Sequence, residues 1–340
     1  MHLANEIIKY LSIKNHVEES KIHNHATIKY YNDGCIAIFP NSPTSRDALI
    51  ISVGIHGDET APVEMAYKLM SEIYDGLKIS IPIMISVGNL EALKFGTRAV
   101  DVDLNRCFEG NGSEDLLEHK RASLIIDSIN SFTKDLENIG ARLTSVLDLH
   151  SYVYPNCFKQ YQDEKTQFAI CVKQQAYSQK HEMIIKDCRI NKVITDVSLK
   201  GTLVSYIATT FPDALAMVFE LGHAKKFGEN NPLDLKNIYD YLKALICNES
   251  IVKSSLLKQQ EIEIYKFCDP LIKTCDSFRF NENICLRNFT KYAEGTIIAY
   301  ENDEIVYKIP SDNYTVLFPW PSRPVGTAGT YLLQKLSVDK

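Results

Sequence analysis

Apolar residues recur along this chain in two rhythms, continuous short runs and helical stripes, and the pattern changes near residue 250. TIKYY (27–31) alternates, Asn32-Asp33-Gly34 is a turn signal and CIAIFP (35–40) resumes the run, which predicts an opening β-hairpin. ALIISVG (48–54), IPIMISVG (81–88), SVLDLH (145–150) and ALAMVFELG (214–222) are runs of strand length, the mark of strands covered on both faces. Helical spacing separates them. Thr60 reads as a helix cap with Pro62 in the first turn, and Val63, Met65, Ala66, Leu69, Met70 and Ile73 follow on one face. Residues 114–138 read as a long helix and 233–249 as a further amphipathic one. Buried strands alternating with helices predict an α/β fold: a mixed, mostly parallel sheet flanked by helices.

Past residue 250, QEIEIYKF, GTIIAY, EIVYKI, YTVLFP and GTYLLQ alternate in short runs separated by Asn, Asp, Gly and Pro, which predicts a smaller all-β module. The expected division is therefore a larger domain over 1–250 and a C-terminal β module over 251–340, with no internal repeat.

Composition narrows the function by exclusion. A net charge of -6 leaves no basic field for a polyphosphate, so nucleic acid is not an expected partner. A small anionic substrate stays compatible, because a few local arginines suffice to hold a carboxylate. The first twenty residues lack a basic start followed by an apolar core, and no run reaches the roughly twenty apolar residues of a membrane span. Nine cysteines, with no C-x-x-C pair, argue for reduced thiols in a cytoplasm and against a disulfide framework or a Cys-type zinc site. Nothing in the composition decides oligomeric state.

Candidate chemistry sits where apolar runs end. LIISVGIHGDETAP passes from a buried strand straight into His56-x-x-Glu59, a spacing that lets an imidazole and a carboxylate converge on one metal ion, with Gly57 keeping the turn tight. The same spacing at His16 and Glu19 follows no strand, so position rather than pattern distinguishes the two. A catalytic zinc takes three protein ligands and keeps a fourth position open. His150, at the end of VLDLH, is the candidate third; read alone it is first a hydrogen-bonded histidine at a strand end. Asp148 lies on the same strand face, where it either orients an imidazole or stands as an isolated acid. Glu220 follows at least four apolar residues in LAMVFELG, and burial there would raise its pKa toward that of a general base; the alternative is a turn cap or a structural ion pair. In FGTRAVDVDLNRCFEG, Arg98, Asn105 and Arg106 offer a carboxylate clamp or a carbonyl polariser, while salt bridges to Asp101 and Asp103 are the plain alternative.

Together GIHGDETAPVEM, GNLEALKFGTRAVDVDLNRCF, LDLHS, FELGHAKKFGEN, NFTKYAEGTIIAY and YTVLFPWP resemble the succinylglutamate desuccinylase/aspartoacylase family, in family order over nearly the whole chain. The resemblance implies a zinc-carboxypeptidase-like fold and one zinc per chain held by His56, Glu59 and His150. It implies Glu220 as the base that activates water, Arg98 as the group that polarises the scissile carbonyl, and Asn105 and Arg106 as holders of a substrate carboxylate. Gly201 and Thr202 match a Gly-Thr in the family's pocket region. The implied reaction is hydrolysis of N-succinyl-L-glutamate to succinate and L-glutamate in arginine breakdown. An aspartoacylase-like or other N-acyl-amino-acid deacylase, and more distantly a non-catalytic binding protein on this fold, are the alternatives. One departure bears on substrate: after His150 the chain reads SYVYPNCF, where the desuccinylases continue with an arginine-bearing segment.

Overall fold

A computed structural model describes residues 7, 25–110, 115–161, 163–249 and 261–337; the His16–Glu19 spacing and the junction at residue 250 lie outside the described residues. The hairpin forms as the sequence predicts, with β1 (Ala26–Asn32) antiparallel to β2 (Cys35–Pro40). The four apolar runs become β3 (Asp47–Val53), β4 (Ile83–Val87), β5 (Arg142–Tyr152) and β8 (Leu215–His223). In the sheet they stand side by side as β4-β3-β5-β8, every neighbouring pair parallel. Strands at the centre of a sheet covered on both faces have no polar side, which is why they read as continuous rather than alternating runs.

Helices α1 (Thr60–Tyr74) and α6 (Lys236–Cys247) cover one face, while α3 (Leu117–Asn138) and α5 (Leu203–Thr210) cover the other. The stripe read from the sequence of α1 is the stripe it buries, Val63, Met65, Ala66, Leu69, Met70 and Ile73. Thr60 does not cap it: its hydroxyl donates to the Lys225 carbonyl at 2.6 Å. Glu59 holds the N-cap position and makes no capping bond, because its carboxylate is turned toward two histidines. The short helix α2 (Leu90–Phe95) is capped by Asn89, whose side chain accepts from Ala92 N at 3.0 Å.

Between residues 153 and 213 the structure adds elements that the apolar pattern did not announce: β6 (Gln167–Val172), α4 (Gln179–Asp187), β7 (Lys192–Val197) and α5. Each is short, six to nine residues, so its period has little length in which to declare itself. The C-terminal runs become β9 (Glu263–Ile272), β11 (Ile297–Glu301), β12 (Glu304–Lys308), β13 (Tyr314–Leu317) and β14 (Ala328–Lys335), with the two-residue β10 (Arg279–Phe280). Strands β10, β11 and β12 make a separate antiparallel sheet, whereas β9 pairs parallel with β7 and carries β14 and β13 onto the large one, giving it eleven strands. The smaller module thus shares its hydrogen bonding with the larger region instead of hanging from it.

Candidate active site

Strands β3, β5 and β8 are parallel, so their C-terminal ends open on the same edge of the sheet. From β3 the chain turns through α1 to β4 on one side and returns to β5 on the other. A crevice opens outside the strand ends at such a reversal, and α/β sheets place ligands there. His56 lies just past β3, His150 lies near the end of β5, and Glu220 on β8 is the register partner of His150.

The turn after β3 packs on α2 so closely that a Cβ at Gly57 would stand 2.1 Å from the Ala92 carbonyl carbon and 2.3 Å from Leu93 N. Close approach to another backbone, rather than tightness of the turn itself, is what requires glycine here. His56 and Glu59 are held by this contact and by a hydrogen bond from Gly57 N to the Arg98 carbonyl at 3.2 Å.

The side chains converge around Glu59. His56 Nδ1 is 2.7 Å from Glu59 Oε1, and His150 Nδ1 is 2.9 Å from Oε2, which also accepts from Ser151 N at 3.0 Å. All three residues are buried. One ligand atom from each lies within 4.8 Å of the others, close enough for a single ion to be reached by all. The second nitrogen of each ring also faces an acid, His56 Nε2 at 3.1 Å from Asp103 Oδ1 and His150 Nε2 at 3.0 Å from Asp148 Oδ2. Carboxylates placed this way fix the tautomer and orientation of metal-binding imidazoles.

Electrostatics point the same way. Burial opposes charge on His150 and His56, yet the surrounding acids, Asp148 and Glu59 for the first and Glu59 and Asp103 for the second, raise both imidazole pKa values. Glu59 and Asp103 are held well below the usual carboxylate range despite burial, chiefly by the histidines they face. The cluster therefore draws positive charge inward, and two imidazoles with one carboxylate are the donor set that suits Zn2+. Glu220 behaves oppositely: burial pushes its carboxyl up to about 8, with Glu59 adding to the effect and His150, His56 and Arg98 opposing it. Its Oε2 is buried without a hydrogen-bond partner among the described residues.

Arg98 reaches the cluster from the loop after α2, with Nη1 at 3.5 Å from Glu59 and Nη2 donating to Asp103 at 3.0 Å. The salt bridge to Asp103 foreseen for this loop is present, but the same aspartate also holds His56. That second contact escaped the sequence reading, because only the folded loop brings residue 103 beside residue 56. Asp103 also accepts from Asn105 N at 2.9 Å and so caps a 3-10 turn, Leu104–Arg106. Asn105 is buried, with its side-chain Oδ1 accepting from Leu203 N at 3.2 Å, while Arg106 is exposed and its Nη1 donates to the Asn105 backbone carbonyl at 2.6 Å.

Gly201 and Thr202 meet this loop from the other side. A Cβ at Gly201, which has φ +74°, would stand 2.7 Å from the Arg106 carbonyl oxygen. Thr202 caps α5: its hydroxyl accepts from Ser205 N at 3.2 Å and donates to Leu199 O at 2.7 Å. Both hydrogen-bonding functions of the Thr202 hydroxyl are thus engaged locally, at the start of α5. After His150, Tyr152 donates to Thr166 O at 2.9 Å and Tyr154 accepts from Asn288 N at 2.9 Å. Only Tyr154 thereby joins the C-terminal segment; the Tyr152 hydroxyl is spent on the Thr166 carbonyl.

Residues 45–246 match the family model described as the succinylglutamate desuccinylase/aspartoacylase catalytic domain, and 260–334 match the barrel-sandwich hybrid domain of the same family. A succinylglutamate desuccinylase from Photorhabdus laumondii is 28% identical over 311 residues, covering 88% of this chain and 92% of the relative. One from Shewanella amazonensis is 25% identical over 320 residues, covering 92% and 89%. Among solved structures, the Vibrio parahaemolyticus succinylglutamate desuccinylase superposes with a TM-score of 0.80 at 23% identity, covering 98% of this chain and 95% of that one. The Chromobacterium violaceum structure gives 0.78 at 21%, covering 99% and 98%. At these identities the structures establish a shared fold.

Proposed function

The chain belongs to the succinylglutamate desuccinylase/aspartoacylase family, and from that premise we propose that it is a zinc-dependent hydrolase that cleaves N-succinyl-L-glutamate to succinate and L-glutamate. The observation that carries this reading is the convergence of His56, Glu59 and His150 within 4.8 Å, with Glu220 on the neighbouring strand in register with His150. His56, Glu59 and His150 would hold the zinc, one ion per chain, and Asp103 and Asp148 would orient the two imidazoles. When bound, zinc acidifies water and supplies a Lewis acid for the developing oxyanion.

The residues of the chain divide the remaining work. Glu220 takes the proton of the attacking water and returns one to the leaving amine; a carboxyl raised to about 8 is near the pKa at which both transfers are efficient around neutrality. Arg98 supports charge that appears on the carbonyl oxygen only in the tetrahedral state, so it acts on turnover more than on affinity. Arg106, exposed at the rim, and Asn105 hold a substrate carboxylate, and Gly201 and Thr202 fix the loop that carries them. The substrate is a small anionic N-acyl amino acid. All nine cysteines are free thiols, which fits the reducing cytoplasm we assign to it, and no described helix is long and apolar enough to cross a membrane.

The sequence SYVYPNCF after His150 gives the second reading its weight, because the arginine that would grip one carboxylate is absent. Metal analysis of the purified protein, with side-by-side turnover of N-succinylglutamate and N-acetylaspartate, separates the possibilities. We expect one zinc per chain and a higher kcat/KM for N-succinylglutamate. Preference for N-acetylaspartate moves the assignment to an aspartoacylase-like deacylase, and bound zinc with turnover of neither overturns the substrate class.

A further inference from the structure

Glu118, in the first turn of α3, is fully buried, yet its hydrogen-bond donors are neutral. Val100 N reaches Oε1 at 2.7 Å and Asn89 Nδ2 reaches it at 2.8 Å. Asp101 N lies 3.1 Å and Val102 N 3.2 Å from Oε2. Burial alone would raise the pKa of this carboxyl, but these donors outweigh it and keep the group a carboxylate. Three successive backbone N–H groups turned onto one anion form a cradle of fixed dipoles, and the peptide units of residues 100–102 are thereby oriented. The grip is mutual, since Asp101 accepts from Leu117 N at 2.9 Å at the start of α3 and Asn89 caps α2.

The oriented segment lies between two groups that touch the candidate site. Arg98 is two residues before Val100, and Asp103 directly follows Val102; the first reaches Glu59 and the second His56. The Arg98 carbonyl accepts from Gly57 N, so the backbone of the turn that carries His56 is tied to the same loop.

We propose that Glu118 is a positioning residue for the hydrolytic reaction, holding the loop of residues 100–102 so that Arg98 and Asp103 meet Glu59 and His56. This role rests on the functional reading above. It extends that reading to a side chain that contacts none of the candidate catalytic groups and acts through the loop backbone. In Glu118→Gln one oxygen becomes an NH2 that faces N–H donors, which removes at least one bond and the negative charge that collects them.

Two measurements on the zinc-loaded protein and one on its metal-free form test it. Glu118→Gln should lower kcat about 10- to 100-fold, the scale of a misplaced catalytic group, with KM changing less than about threefold. In an Arg98→Ala background the same change should cost clearly less than it does in wild type, since one of the two groups it positions is gone. Trypsin should cleave after Arg98 at least about tenfold faster in metal-free Glu118→Gln than in metal-free wild type, reporting the loosened loop independently of activity. If Glu118→Gln does not fold, Val100→Pro deletes the 2.7 Å bond from an exposed position and takes its place in all three measurements. Unchanged kcat, unchanged cleavage, or losses that multiply with Arg98→Ala each overturn the proposal. A wild type that turns over no N-acyl amino acid overturns the functional reading and this role with it; an active wild type indifferent to the change overturns only the role of Glu118.

Discussion

Glu220 combines two features, proximity to His150, His56 and Arg98 and enough burial to keep its proton affinity high. His150 across the β5–β8 pairing lowers its pKa and burial raises it, and burial prevails. Replacing the carboxylate by an amide removes the proposed base but keeps shape and volume. Glu220→Gln should therefore retain zinc and melting temperature while losing at least about a hundredfold in kcat, the low end of what a general base contributes. Stoichiometric zinc with near-normal turnover would remove Glu220 from the role. Asp103 teaches a different lesson about single residues. In the sequence it is one acid of a mixed-charge loop, and in the structure it holds His56, Arg98 and the 3-10 turn at once.

At the scale of elements, the central strands were readable because a strand buried on both faces is apolar at every position, a signal that needs no partner to interpret. The helix α1 was readable for the same reason, since its stripe is periodic within its own fifteen residues. The connection of β9 to β7 was not, because it depends on Glu263, Lys192 and Lys335, three charged residues far apart in sequence that meet at a strand junction. Burial alone would raise the pKa of Glu263, but the two lysines overcome that and hold it down at about 2. A carboxylate depressed in the folded state stabilises fully above its unfolded pKa, near 4.5 here, and loses that contribution as pH falls toward about 2. Glu263→Gln should thus melt about 2 °C below wild type at pH 7, the shift expected from roughly 1 kcal/mol for a partly exposed network. The gap should close as pH drops below 4.5 in parallel thermal melts; a gap independent of pH would mean that packing and not charge holds the junction.

For the whole molecule, one core joins residues on both sides of position 250. Phe168 packs edge-on to Phe289 at 5.0 Å between ring centroids and lies 5.8 Å from Phe318, and Tyr152 also lies 5.8 Å from Phe318. Scanning calorimetry should accordingly give a single unfolding transition, and a chain ending at residue 249 should be poorly soluble because it uncovers Phe168 and the edge of β7. Two resolved transitions would show that the two regions fold independently. The sequence by itself determined the elements near the site and the chemical types at strand ends, because hydrophobic period and burial are properties of a few consecutive residues. It also brought His56, Glu59, His150 and Glu220 forward as candidates, since each stands where an apolar run stops or is interrupted. Only the tertiary structure decided that β3, β5 and β8 lie side by side, that Asp103 and Glu118 serve the same loop, and that Gly57 is required by α2. Those facts rest on contacts between segments distant in the chain, and no local pattern encodes which distant segment will come to lie within hydrogen-bonding reach.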